Sequence, residues 1–254
     1  MATSIGDVLT PDLVGQLMTL ADGPAVRGIA VLGSTARGTS SRWSDVDVES
    51  AVGGPADKWP TRASFLDGRL VMSSSVTHEE QVAQLELPDR AIWAAPSFAT
   101  MRILVDRDGA LARLQAAGRS FDYGPLRPAA TAYVRQKAAS SCEYVFKIRD
   151  ALERRDESKA LHAAAALMGK CERIVAVAYL VPIPTENEYL KIVRAAGGPG
   201  WTAAHRRAFG LEGGDAFTQA EAAVALFRET IRLVDDRLDG AARAIVGPTL
   251  EIAP

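Results

Sequence analysis

The sequence predicts an α+β chain in which a small mixed β-sheet is followed by an all-α helical bundle. Three observations carry this expectation. Short extended runs separated by Gly, Pro and Asp-Gly occupy the first half of the 254 residues. Strand signals fade from about Phe121, and alanine-rich sequence with helical spacing then continues to Val246. The boundary is placed there, giving domains 1–120 and 121–254.

Thr10 followed by Pro11 reads as an N-cap with proline at the first helical position, so a short helix is expected to about Ala21, stopped by "DGP". "VRGIAVL" and "DVDVESAV" are the first two strands, and "GGPADKWP" breaks the chain after them. "FLDGRLVMSSSV" carries Asp-Gly between extended runs, a hairpin signal, and "TMRILV" supplies another strand closed by "DRDG". Short helices are expected from Glu79 to Leu85 and from Ala110 to Ala117. In the second half, "VPIPT" and "AAGGPGW" punctuate the helices, and Lys159 to Val181 is apolar on most faces, as a central bundle helix is.

Composition narrows the function classes. The net charge of −2 and 6% aromatic content argue against a broad nucleic-acid surface and favour a small substrate. Cys142 and Cys171 lie far apart and read as two core thiols. "MATSIGDVLTPDL" has neither a basic start nor an apolar run, and no segment offers the ~20 apolar residues of a membrane span, so a cytoplasmic, membrane-free chain is expected.

The chemistry concentrates in "VLGSTARGTSSRWSDVDVESAV" from Val31 to Val52. Residues two apart on a strand share a face, which puts Asp45, Asp47 and Glu49 side by side. Like charges there repel unless a cation lies between them, and hard oxygen ligands suit magnesium in the company of phosphates. An exposed, polar edge strand is the competing explanation. Gly33 lets backbone approach a ligand at the strand end, Ser34 offers a hydroxyl and an N–H to a phosphate, and Arg37 is either a charged contact or a solvated helix residue. There is no G-x-x-x-x-G-K-[ST], which excludes a P-loop. "GSTARG" is not G-x-G-x-x-G, and the helical second half does not continue a βαβ series, which argues against a dinucleotide fold.

"GSTARGTSSRWSDVDV" resembles the G-S, spacer, D-x-[DE] signature of the nucleotidyltransferase superfamily with the DNA polymerase beta type of fold. "HEEQVAQ", "ILVDRDGALARL" and "CEYVFKIRDAL" resemble, in order and spacing, segments of bacterial aminoglycoside (kanamycin) nucleotidyltransferases, over roughly Ala25 to Leu152. The resemblance implies that Gly33 and Ser34 hold the triphosphate of ATP or another NTP, that Asp45 and Asp47 bind Mg²⁺, that Glu143 is the general base and that Lys147 contacts the nucleotide. It implies AMP transfer to a hydroxyl of a small molecule such as an aminoglycoside-like antibiotic, and a homodimer is in keeping with it. Transfer to a protein or tRNA, as in toxin-antitoxin relatives, is the alternative. From the residues alone, Glu143 and Lys147 share a helix face and read equally as a surface i,i+4 ion pair. A base in a half-buried setting would be tuned toward neutral pH.

The sequence departs from the family at its third metal-binding carboxylate, whose position falls near Ser73. Glu49 could substitute, Glu79 or Glu80 could reach in, or the chain is a degenerate nucleotide-binding member. His78, His162 and His205 show no zinc-ligand spacing. Trp43 reads as a core plug in preference to a base-stacking side chain, and Lys191 is a weak candidate for a triphosphate contact. "ENE" at 186–188 and "VDD" at 234–236 are the acidic candidates for a polycationic acceptor.

Overall fold

The computed structural model describes residues 8–252, whose contacts gather into two units. The first contains the described residues up to Asp122 together with Pro182–Thr185; the second contains Tyr123–Val181 and the described residues from Glu186 onward.

In the first unit, helix α1 (Pro11–Met18) opens at Thr10, whose hydroxyl accepts from the Leu13 amide at 3.1 Å. Strand β1 (Val26–Val31) leads through the short helix α2 (Gly33–Arg37) to β2 (Val46–Val52). The hairpin of β3 (Arg62–Leu66) and β4 (Arg69–Thr77) turns at Asp67 and Gly68, both at positive φ (48° and 69°), as a two-residue hairpin loop requires. Helices α3 (His78–Glu86) and α4 (Pro88–Thr100), strand β5 (Arg102–Asp106) and helix α5 (Ala110–Arg119) complete the unit. The five strands run in the order β3-β4-β2-β1-β5, with β2 and β4 parallel and the other neighbours antiparallel.

Both faces of the sheet are covered. On one, Ile29, Val31, Val46, Val48 and Val71 join Leu13 and Leu17 of α1. On the other, Ala30 and Ala51 meet Ala94 and Phe98 of α4 and Leu111 and Leu114 of α5. Helix α4 is not among the elements expected from the sequence, and it contains Pro88 and Pro96, residues that ordinarily end or kink a helix. Pro88 instead occupies the first turn, where a missing N–H is harmless. Pro96 lies inside the helix and has no N–H for the Ile92 carbonyl one turn back. That carbonyl accepts from the Ile183 amide at 2.7 Å, so "VPIPT" is more than punctuation between helices.

The second unit comprises α6 (Arg127–Arg154), α7 (Glu157–Ala178), α8 (Tyr189–Ala208), α9 (Ala216–Val234) and α10 (Gly240–Ile252). Helix α6 ends at Arg155, in the left-handed region at φ 54°, and α7 starts at the Asp156 cap, whose carboxylate accepts from the Lys159 amide at 3.0 Å. Helix α7 is buried along most of its length and packs on α6, α8 and α9, as expected of a central helix. "AAGGPGW" does not separate two elements but kinks α8 at Gly198, at φ 77°. Cys142 and Cys171 are free and buried, and burial pushes the Cys171 thiol up to about 12.

A buried polar network ties α8 to α7. Arg194 Nε donates to His205 Nδ1 at 3.1 Å, which leaves the ring proton on Nε2 to reach Glu172 Oε1 at 2.8 Å. Trp201 and Phe209 both stack with the imidazole, at centroid distances of 4.9 and 5.3 Å. Among the described residues, no helix is long and apolar enough to cross a membrane.

Candidate functional site

The expected carboxylate face exists. Along β2, Val46 and Val48 are buried in the core, while Asp47 and Glu49 alternate with them on the opposite face and Asp45 precedes the strand in the same phase. The backbone then joins this strand to the Gly-Ser turn. The Leu32 amide donates to the Asp47 carbonyl at 2.9 Å, and the Thr35 hydroxyl donates to the Asp45 carbonyl at 3.3 Å. Thr35, the third residue of "GST", thereby ties the turn to the Asp45 backbone, a contact the sequence does not suggest.

Gly33 shows how tight the junction is. Its φ is 66°, and a Cβ at that position would lie 2.5 Å from Asp47 Oδ2. Glycine suits this position twice over, taking the left-handed backbone without strain and leaving room for the carboxylate. The Ser34 carbonyl accepts from the Thr39 amide at 3.0 Å, and α2 ends after Arg37 at Gly38, φ 70°. Gly33, Ser34, Arg37, Asp45 and Asp47 thus belong to one short strand-turn-strand junction.

The position near Ser73 requires correction. Across the parallel β2–β4 ladder, Val48 pairs with Ser73, Asp47 with Met72 and Glu49 with Ser74. Paired residues share a face, so Ser73 lies with Val48 on the core side and is buried. The neighbours of Asp47 and Glu49 are Met72 and Ser74, and neither is an acid. Glu80 does not reach in, because its carboxylate closes the capping box of α3 by accepting from the Thr77 amide at 3.0 Å and pairs with Lys58 at 2.6 Å. Glu79 is exposed.

Glu49 has its own partner. The buried side chain of Gln81 donates from Nε2 to Glu49 Oε1 at 2.7 Å. Burial raises the Glu49 pKa; the Gln81 hydrogen bond opposes that and the nearby Glu80 charge adds to it. Gln81 sits in the quoted segment "HEEQVAQ", but nothing in the sequence pairs it with a residue 32 positions away.

In the helical unit, Glu143 and Lys147 form the expected i,i+4 ion pair on α6. The setting is not the half-buried one expected for a tuned base. The Glu143 side chain is 62% exposed, and the Lys147 ammonium hydrogen-bonded to it holds its carboxyl below the usual carboxylate range. Lys191 is likewise exposed and lies 3.7 Å from Glu188, and Asp235 is occupied by Arg243 at 2.7 Å. Trp43 is not a core plug: it is 82% exposed, with the Arg42 guanidinium 4.5 Å from its ring centroid.

Among the described residues, no group of three or more His, Cys, Asp or Glu side chains is placed to hold a metal ion. Asp45, Asp47 and Glu49 therefore do not form a three-ligand cage. The Asp45 and Asp47 donor set fits a narrower role, because Mg²⁺ commonly takes one or two carboxylates and completes its octahedron with phosphate oxygens and water.

The fold is similar to that of a nucleotidyltransferase-like protein from Exiguobacterium sibiricum 255-15, with a TM-score of 0.56 and 15% sequence identity over 93% of this chain and 77% of that one. No family model matches the chain, and no curated protein matches its sequence. The likeness is one of fold alone, and in this chain that fold is a mixed sheet followed by helices.

Proposed function

We propose that this chain is a magnesium-dependent nucleotidyltransferase that moves a nucleoside monophosphate, AMP from ATP, to a hydroxyl of a small molecule. The observation that carries the reading is the close approach of the Asp47 carboxylate to Gly33, which brings the acidic strand against the Gly-Ser turn at a residue whose φ of 66° and missing Cβ both suit glycine. A merely solvated polar edge strand needs no such fit, and β2 is not an edge, lying between β1 and β4.

Each residue then has a chemical task. Gly33 and Ser34 position the triphosphate, with Arg37 as an added charge. Asp45 and Asp47 would hold magnesium, which when bound neutralises charge on the phosphate oxygens. The acceptor oxygen forms a bond to the α-phosphorus as the bond to pyrophosphate breaks, and pyrophosphate leaves with the electron pair. Glu143 is assigned the hydroxyl proton on the strength of the resemblance, and Lys147 keeps that carboxylate ionised. Most of the rate enhancement in such a displacement comes from positioning and electrostatics.

A second reading, nucleotide binding without transfer, is favoured by Met72 and Ser74 standing where a third carboxylate would flank Asp47 and Glu49. One experiment separates the two. Purified protein is incubated with magnesium and α-labelled ATP, alone and with a panel of hydroxyl acceptors that includes aminoglycosides. A labelled small molecule supports transfer. Saturable ATP binding with no labelled product under any acceptor supports the second reading, and no ATP binding by folded protein defeats both.

A further inference from the structure

A pocket of about 230 Å³ lies within the helical unit between α6 and α7, lined by Tyr133, Lys137, Tyr144, Ala166, Lys170 and Arg173. Helical spacing assembles it. Residues 133, 137 and 144 fall on one stripe of α6, and 166, 170 and 173 fall on one stripe of α7. Because α6 and α7 pack against each other, the two stripes meet.

The lining contains three cations and no acid. Elsewhere in this unit many cations are paired with acids, Arg149 with Glu153, Arg154 and Lys159 with Asp150, Arg206 with Glu212, Arg232 with Glu229 and Arg243 with Asp235, while Arg155 and Arg237 lie singly over the rings of Phe217 and Tyr179. Among the described residues, neither Lys137 nor Lys170 has a carboxylate within ion-pair distance. Their ammonium groups lie instead against ring faces, Lys137 at 5.3 Å from the Tyr133 centroid and Lys170 at 5.0 Å from that of Tyr144. Lys147 adds a third contact of this kind, 4.7 Å from the Tyr144 centroid. The adjacent carboxylate, Glu143, is already held by Lys147. Like charges gathered in one concavity raise each other's energy, and a bound anion relieves that repulsion. In a chain of net charge −2, this local excess does not follow from composition.

Two half-buried tyrosines stand beside the charges, with Lys137 over the ring of Tyr133 and Lys147 and Lys170 over that of Tyr144, so a ligand ring meets the tyrosine edges and the apolar lysine stems. The volume is below the ~300–1,000 Å³ of pockets that engulf drug-sized ligands, so it suits one ring with its charged substituent and not a multi-ring polycation. We infer that this pocket is a binding site for a planar ring bearing a phosphate, and that it rejects polycations. The inference stands independently of nucleotidyl transfer, because binding is measured without turnover. The phosphate could belong to a nucleotide or to a separate phosphorylated ring compound, and competition distinguishes them.

The test is calorimetric titration of the full chain with phenyl phosphate, against the variants Lys137→Gln, Lys170→Gln and Tyr144→Leu, with Arg206→Gln as a control and circular dichroism melting to verify that each variant folds. The expected result is saturable binding that weakens about ten-fold with each lysine variant, as loss of one charge-assisted contact implies, and weakens further in 0.5 M salt. Phenol should not bind, kanamycin should not compete, and Arg206→Gln should bind as the parent does. Displacement of phenyl phosphate by both ATP and pyrophosphate identifies nucleotide phosphates as the occupant, whereas displacement by neither identifies a separate ring monophosphate. No binding at 10 mM phenyl phosphate, or equal binding by a folded Lys137→Gln/Lys170→Gln double variant, overturns the inference.

Discussion

Asp47 and Glu143 are both carboxylates assigned to one reaction, and the two units hold them by different means. The Asp47 backbone is fixed by strand register and by a hydrogen bond from the Leu32 amide to its carbonyl at 2.9 Å, and its carboxylate lies in the space left by the missing Cβ of Gly33. Glu143 is fixed by a flexible lysine one helical turn away, in water. The Asp47 backbone cannot shift without moving a strand, whereas an exposed i,i+4 pair exchanges partners at little cost. Substitution around Asp47 should therefore be poorly tolerated and substitution around Glu143 well tolerated.

The sharpest way to break that contrast is Asp47→Asn. It keeps the shape, removes the charge, and should lower turnover by a factor on the order of 10² or more with an unchanged melting curve. Normal turnover would show that the strand is not the site. Gly33→Ala comes next. It forces an L-residue to φ 66° and pushes on the Asp47 carboxylate, so a loss of about 1 kcal/mol or more and a lower melting temperature should accompany the loss of turnover. A variant that is as stable and as active as the parent would contradict the close fit.

Glu143→Gln probes the other half. Turnover should fall by roughly 10² if this residue takes the proton, with ATP affinity and melting temperature unchanged. Because Lys147 holds the carboxyl below its usual range, the acid limb of the parent's pH profile should lie below the ordinary glutamate value, with a flat profile from there through neutrality. A limb near pH 6 or 7 would show that Glu143 is buried during turnover. The smallest expected effect belongs to Glu49→Gln. Burial raises this group's folded pKa, so as pH rises from the ordinary value toward the raised one the unfolded chain gives up its proton first, and stability falls through that window. The variant should melt higher than the parent at pH 7.5 and alike at pH 4; an identical gap at both would remove Glu49 as the cause.

Much of the fold was legible because its signals are local. The Thr10-Pro11 cap, the Asp67-Gly68 hairpin turn and the alternation of Val46, Asp47, Val48 and Glu49 each follow from interactions within a few residues. Where reading failed, a distant partner had overridden the local rule. Pro96 reads as a break, yet α4 passes through it because Ile183, far along the chain, satisfies the carbonyl that proline leaves free.

The amino-acid sequence by itself determined which strand carries the carboxylates, where the Gly-Ser turn falls and where helices replace strands, because spacing, turn chemistry and proline placement act over short range. Tertiary structure alone decided that Met72 and Ser74, not Ser73, flank the acids, that Gln81 engages Glu49, that Trp43 faces solvent, and that two helices bring Lys137 and Lys170 into one pocket. Strand register and helix pairing are set by burial of apolar surface between segments distant in the chain, and that burial leaves no mark in any single stretch of sequence.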